Sequence, residues 1–170
     1  MLRAFARRAI EGFERRWSYD GSYMREVLDE AGLGALLPMQ SLQKVGRYRR
    51  KVPAGVYYAA KVTASLAADC GPCAQLTIAM ARAEGVPAPL LRALVADDRD
   101  ALSADERLGY DLARATIARA GGGEVRGAIL ERWGRGGLVS LAYALVAAQA
   151  FPTLKYALGH GVACRRLHVA

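Results

Sequence analysis

The sequence is short of the residues that build metal centres and disulfide scaffolds: it has two histidines, His160 and His168, and three cysteines, Cys70, Cys73 and Cys164. Three cysteines cannot close a framework of paired bridges. A four-ligand zinc site would need donors that one close Cys pair and two distant histidines do not supply. No metal and no organic cofactor is therefore expected. Phenylalanine is equally scarce, and β-branched residues are few beside Ala, Leu and Arg, which argues against a sheet and for straight-chain helix formers. Nothing at the N-terminus reads as a secretory signal, so the expected compartment is the reducing cytoplasm, where a close Cys pair is more often catalytic or metal-binding than structural. Long apolar runs are missing too. The longest, Leu138 to Phe151, carries Ser140 and Gln149 and falls short of the roughly 20 residues that span a bilayer. It reads as a buried helix.

What the chain has in abundance is apolar bulk and positive charge: 53% of its 170 residues are hydrophobic, and the formal net charge is +8. That is enough length and apolar content to bury one core without staples. The charge collects in "KVGRYRRK", residues 44 to 51, and along "MLRAFARRAIEGFERRW" at the start. Basic segments of this kind can hold nucleic acid or an anionic membrane. Glu11, Glu14, Glu26, Asp29 and Glu30 are interleaved with them, however, and no nucleic-acid motif accompanies them. A solvated or subunit-contacting face is expected instead, with neither nucleic acid nor membrane as partner.

Apolar residues at steps of three and four, Leu2, Phe5, Ala6, Ala9, Ile10, Phe13 and Trp17, predict a first amphipathic helix. "SYMREVLDEAG" predicts a second, stopped by Gly32. In "ALLPMQSLQKVGRYR" a third is expected with Pro38 in its first turn. Pro53 opens "AGVYYAAKVTASLAA", which runs straight into Cys70-Gly71-Pro72-Cys73, and "AQLTIAMARAEG" resumes the helical pattern beyond. Pro72 suits the first turn of a new helix, so the dithiol is expected at the bend of a helical hairpin. "PAPLLRALVADD", a capping-box segment from Ser103 and Glu106, "EVRGAILERWG" and "GLVSLAYALVAAQAFPTLKYALG" complete the helices. Residues 1–52 read as a helical extension and residues 53–170 as the core of a single compact, all-α domain.

The Cys-Gly-Pro-Cys spelling is that of thioredoxin, but a thioredoxin presents it after a buried strand, and here the preceding residues are Ala-rich with helical spacing. The context resembles the AhpD-like and carboxymuconolactone decarboxylase family, all-helical bundles in which a helix leads into a CxxC that opens the next. The similarity covers about residues 53 to 160: helix, Cys-x-x-Cys, "AxxxGVPxxLLRAL", an "LSADER" segment and a late apolar helix. It implies a homo-oligomer, commonly a trimer or hexamer. It also implies a Cys70/Cys73 dithiol cycle that reduces a hydroperoxide or disulfide with electrons from a dithiol or thioredoxin-like donor. Two alternatives stay open: a non-enzymatic or regulatory oligomer, and a decarboxylase or isomerase acting on a small lactone or acid. The family's proton relay departs here. The histidine four residues after the second Cys is Thr77, and the carboxylate twelve residues before the first is Tyr58.

A thiol at a helix N-terminus sits among unsatisfied N–H groups and the positive end of the macrodipole, which favours thiolate. By position Cys70 is the outer thiol and Cys73 the inner one. A bend centred near Asp69 would set Ser65 opposite Cys73 and Lys61 opposite Thr77, with Tyr58 one turn further. Lys61 would then stabilise a Cys73 thiolate, and Thr77 or Tyr58 would pass a proton through water. The alternatives are that Lys61 snorkels to solvent, Thr77 bonds back to its own helix and Tyr58 fills core. Asp69 would either oppose thiolate formation or cap the helix. Glu84 reads as a surface residue, and Cys164 as an intersubunit or buried thiol.

Overall fold

The computed structural model describes residues 1–162 and 167–169, and the described residues are all-α, with no strand among them. Cys164 lies outside the described residues. Helix α1, Leu2–Trp17, turns Ala6 and Ile10 inward and stops where Ser18 adopts a left-handed conformation. Helix α2, Ser22–Glu26, continues into a π-helical turn, Val27–Ala31, that ends at Gly32. Helix α3, Leu33–Val45, begins earlier than expected, so Pro38 lies inside it rather than in its first turn, at the loss of one ladder hydrogen bond. These helices share an apolar cluster that includes Ile10, Tyr19, Tyr23, Met24, Leu28 and Met39, and it leans on Leu76, Leu154 and Leu158 of later helices.

The main core is built around α4, Ala54–Ala67, in which every residue from Val56 to Ser65 is buried. A helix apolar all round must be surrounded. Helices α5 (Gly71–Ala83), α6 (Ala88–Val95), α7 (Ala104–Ile117) and α8 (Gly123–Ala157) all pack on it. The tightest approach is to α7 at Gly109, where a Cβ would stand 2.3 Å from the Val56 carbonyl oxygen. Helix α7 starts with the capping box expected at Ser103 and Glu106: the Ser103 N–H donates to Glu106 Oε2 at 2.9 Å and the Glu106 N–H to Ser103 Oγ at 3.4 Å. The two final helical segments meet within α8 at Gly134, whose φ of 64° and ψ of −171° lie in a region that only glycine occupies readily.

The expected buried helix from Leu138 to Phe151 is covered on one face. Ser140, Leu141, Ala144, Leu145, Ala147 and Ala148 are buried, while Tyr143 and Val146 point outward. Helix α8 extends well beyond that run. By length and composition it is sufficient to cross a membrane, with a mean hydropathy of 1.5 in a window that is 44% buried.

Candidate functional site

Helices α4 and α5 form the expected hairpin, and its corner carries the two sulfurs. Helix α4 closes at Ala68, Asp69 takes a left-handed φ of 48°, and Cys70 adopts extended backbone as the N-cap of α5, so of the two roles open to Asp69 the cap falls to its neighbour. Pro72 lies in the first turn of α5, where its missing N–H has no helical partner to lose. One turn brings the Cys70 and Cys73 Cα atoms to 5.3 Å, within the span of a disulfide, and the sulfurs are bonded.

The two cysteines differ in access, in the reverse of the order expected from position. Cys70 has no exposed surface, whereas Cys73 is 7% exposed and lines a cavity of about 90 Å³. The chain's last segments lie against this corner. The Gly71 N–H donates to the Val162 carbonyl at 3.2 Å, the Tyr156 hydroxyl to the Asp69 carbonyl at 2.8 Å, and the Gln75 amide exchanges two 2.9 Å hydrogen bonds with the His168 backbone. Position in the motif carries no information about this returning tail.

Lys61 and Thr77 line the same cavity as Cys73, together with Ser65. The hairpin register is not the expected one. Ser65 Oγ pairs with Thr77 Oγ1 at 3.0 Å rather than facing Cys73, because the two helices pivot about Gly71 instead of Asp69. The Thr77 hydroxyl donates to the Cys73 carbonyl at 3.0 Å, the local back-bond, so its oxygen is left to accept from Ser65. Thr77 thus fixes the Ser65 hydroxyl and the Cys73 backbone together.

Lys61 does not snorkel. It is 9% exposed, and its Nζ donates to the Gly46 carbonyl at 2.8 Å, an acceptor that also receives the Tyr57 hydroxyl at 2.6 Å. The rings of Tyr57 and Tyr58 lie 5.5 and 5.8 Å from the ammonium. Burial pushes the lysine down to about 8, opposed by the negative charge of Glu84 and assisted by Arg47.

Tyr58 is not brought to the sulfurs. Its hydroxyl donates to Glu84 Oε1 at 2.8 Å, and the other Glu84 oxygen accepts from Arg49 at 2.9 Å. Burial, then the bond and charge of Glu84, push the Tyr58 phenol far up, so it is a fixed donor. Glu84 is therefore more than a surface residue, although its side chain is 45% exposed. Among the described residues it is the carboxylate that reaches Tyr58 and acts on Lys61, and residue spacing held its signal: 58 and 84, like 65 and 77, are symmetric about Gly71.

Sequence reasoning also missed the contribution of the N-terminal segment. Phe13, Tyr19, Tyr23, Gln43, Gly46 and Arg47 complete the cavity wall. Behind Tyr19 and Tyr23 stands Lys155, 2% exposed, its Nζ 5.1 and 5.3 Å from the two rings and 3.5 Å from the Tyr19 oxygen. Burial pushes Lys155 down, with Asp20 acting against it. Of the two histidines, His160 bonds to Glu26 at 2.6 Å, and His168 is engaged with Gln75 through its backbone. Among the described residues no group of three His, Cys, Asp or Glu side chains could hold a metal.

The geometry offers a disulfide at a helix start, one of its sulfurs on the wall of a small cavity, and a buried cation on the same wall. Compared with known proteins, the chain matches no family model, no curated protein and no solved structure.

Proposed function

We propose that the protein is a thiol-dependent redox protein of the AhpD-like kind, reducing a hydroperoxide or disulfide through Cys70 and Cys73. One observation carries the reading: a disulfide in the first turn of a helix, with Cys73 on the wall of a cavity that also holds a buried lysine. In the reduced protein the N–H groups of that turn and the Lys61 charge favour a Cys73 thiolate. The thiolate attacks the terminal oxygen of a hydroperoxide and the O–O bond breaks. The alkoxide leaves as alcohol after taking a proton, and Cys73 becomes a sulfenic acid. Cys70 then attacks the Cys73 sulfur, a water departs, and the disulfide seen here closes. An external dithiol or thioredoxin-like donor returns two electrons and two protons by exchange at Cys73.

Lys61 holds the place of a charge-stabilising group. The Ser65–Thr77 hydroxyl pair on the same wall carries the proton in place of a histidine. The site works in the cytoplasm in a homo-oligomer. A second reading, a redox-responsive regulatory protein, draws on the complete burial of Cys70, which slows exchange with outside thiols.

Reaction of the reduced protein with an alkyl hydroperoxide, followed by thiol titration, separates the two. Peroxidase chemistry consumes one peroxide for two thiols lost. Cys70→Ser accumulates a trappable sulfenic acid, and Cys73→Ser consumes no peroxide. Peroxide left untouched by reduced protein removes the enzymatic reading and leaves the regulatory one.

A further inference from the structure

The cavity beside Cys73 has a one-sided charge pattern. Lys61 and Arg47 line it, Lys155 stands directly behind it, and no carboxylate is among its lining residues. Two lysines are almost wholly enclosed, Lys61 at 9% and Lys155 at 2% exposure, and neither forms a salt bridge with an acid among the described residues. An enclosed cation without a paired anion is costly, and an anion bound beside it would offset that cost.

Lys155 Nζ donates to the Tyr19 oxygen at 3.5 Å, and the Tyr19 and Tyr23 rings, which both line the cavity, stand edge to face at 6.5 Å. Burial keeps both phenols protonated and hence donors. Gln43, Ser65 and Thr77 add polar groups to a wall otherwise made by Phe13, Leu76, Met80, Phe151 and Pro152, and the space of about 90 Å³ has room for a few waters or a short organic chain.

We propose that this cavity binds a small organic carboxylate, its charge met by Lys61 and Arg47 on the wall, by the Tyr19 and Tyr23 hydroxyls, and at longer range by Lys155 behind Tyr19. The dithiol then acts on a short hydroperoxide or disulfide that carries a carboxylate. The second statement rests on the redox reading above; the first does not. Lys155 acts through Tyr19 and is a positioning residue.

The test uses the full-length protein with its disulfide intact and titrates butyrate, the isosteric neutral butanamide and inorganic phosphate, followed calorimetrically. Butyrate is expected to bind saturably and butanamide at least about tenfold more weakly, the loss that follows when a hydrogen bond to a charged group is removed. Tyr19→Phe with Tyr23→Phe should weaken butyrate by a similar factor, and Lys155→Met should do so without direct contact. Equal binding of butanamide overturns the anion assignment, equal binding of phosphate overturns the organic one, and unchanged butyrate affinity in the double Phe variant overturns the part given to the two tyrosines. If the wild-type protein binds butyrate while its reduced form consumes no hydroperoxide, the redox reading fails and the carboxylate site stands; turnover of neutral peroxides without butyrate binding is the converse.

Discussion

Replacing Lys61 by methionine should stabilise the protein at neutral pH, and the gain should fade as the solution becomes alkaline. The ordinary lysine value of 10.5 falls to about 8 in the folded chain because the ammonium is enclosed. A lysine whose folded pKa is depressed opposes folding below that pKa, since the unfolded chain holds the proton more tightly. The penalty then disappears as pH rises from about 8 toward 10.5. The difference of about 2.5 units corresponds to about 3 kcal/mol at pH 7, and about 2 kcal/mol of it should be recovered by about pH 9.5.

Methionine has similar bulk, and the Gly46 carbonyl keeps the Tyr57 hydroxyl as donor, so the substitution leaves no orphaned acceptor. Urea unfolding of wild type and Lys61→Met between about pH 7 and 9.5 isolates the effect. Lys155 contributes in the same direction, and Tyr19, Tyr23, Tyr57 and Tyr58, all pushed upward by burial, lose stability only above their unfolded value of about 10. Both contributions cancel in the comparison. A stability difference that does not vary with pH, or a variant weaker than wild type at pH 7, would refute the account. The same substitution should slow alkylation of Cys73 in the reduced protein, tying the cost of the buried charge to the sulfur.

Three further outcomes follow from the same geometry. In the reduced protein Cys73 should be labelled by a small alkylating agent well before Cys70, and mass spectrometry of partly labelled protein would show the reverse order if the tail does not cover Cys70. Gly109→Ala should destabilise by about 1–3 kcal/mol or more, because its Cβ would meet the Val56 carbonyl at 2.3 Å and α4 and α7 would have to part; a chemical denaturation midpoint at the wild-type value would show that the helices separate freely. Glu84→Gln removes a charge that raises Lys61, so the alkaline gain in stability should begin at a lower pH than in wild type, read in the same urea series.

The helical order was legible because apolar spacing, Pro53, Pro72 and the Ser103–Glu106 box are local signals; α3, which starts ahead of the turn that Pro38 suggested, departs from them. The register of the hairpin was not. It depends on how three residues, Ala68 to Cys70, turn between two helices, and a shift from Asp69 to Gly71 replaces the partner of every residue. That shift moved Ser65 onto Thr77 and Tyr58 onto Glu84. Lys61 was legible as a side chain of interest, since it interrupts an otherwise apolar and hydroxyl-bearing helix face. Tyr19, Tyr23 and Lys155 were not, because tertiary docking across more than a hundred residues joins them. The return of the tail to the Asp69–Gly71 corner was hidden for the same reason.

The cavity wall is drawn from both ends of the sequence: Phe13, Tyr19, Tyr23, Gln43, Gly46 and Arg47 on one part, Lys61, Cys73, Thr77 and Phe151 on the other. Occupancy and the docking of residues 1–52 on the remainder are thus two halves of one thermodynamic cycle. Whatever fills the space must also glue the extension down, and whatever loosens the extension must weaken binding by the same factor. Protease nicking near residues 46 to 53 would then report, from far outside the sulfur chemistry, whether the chamber is full.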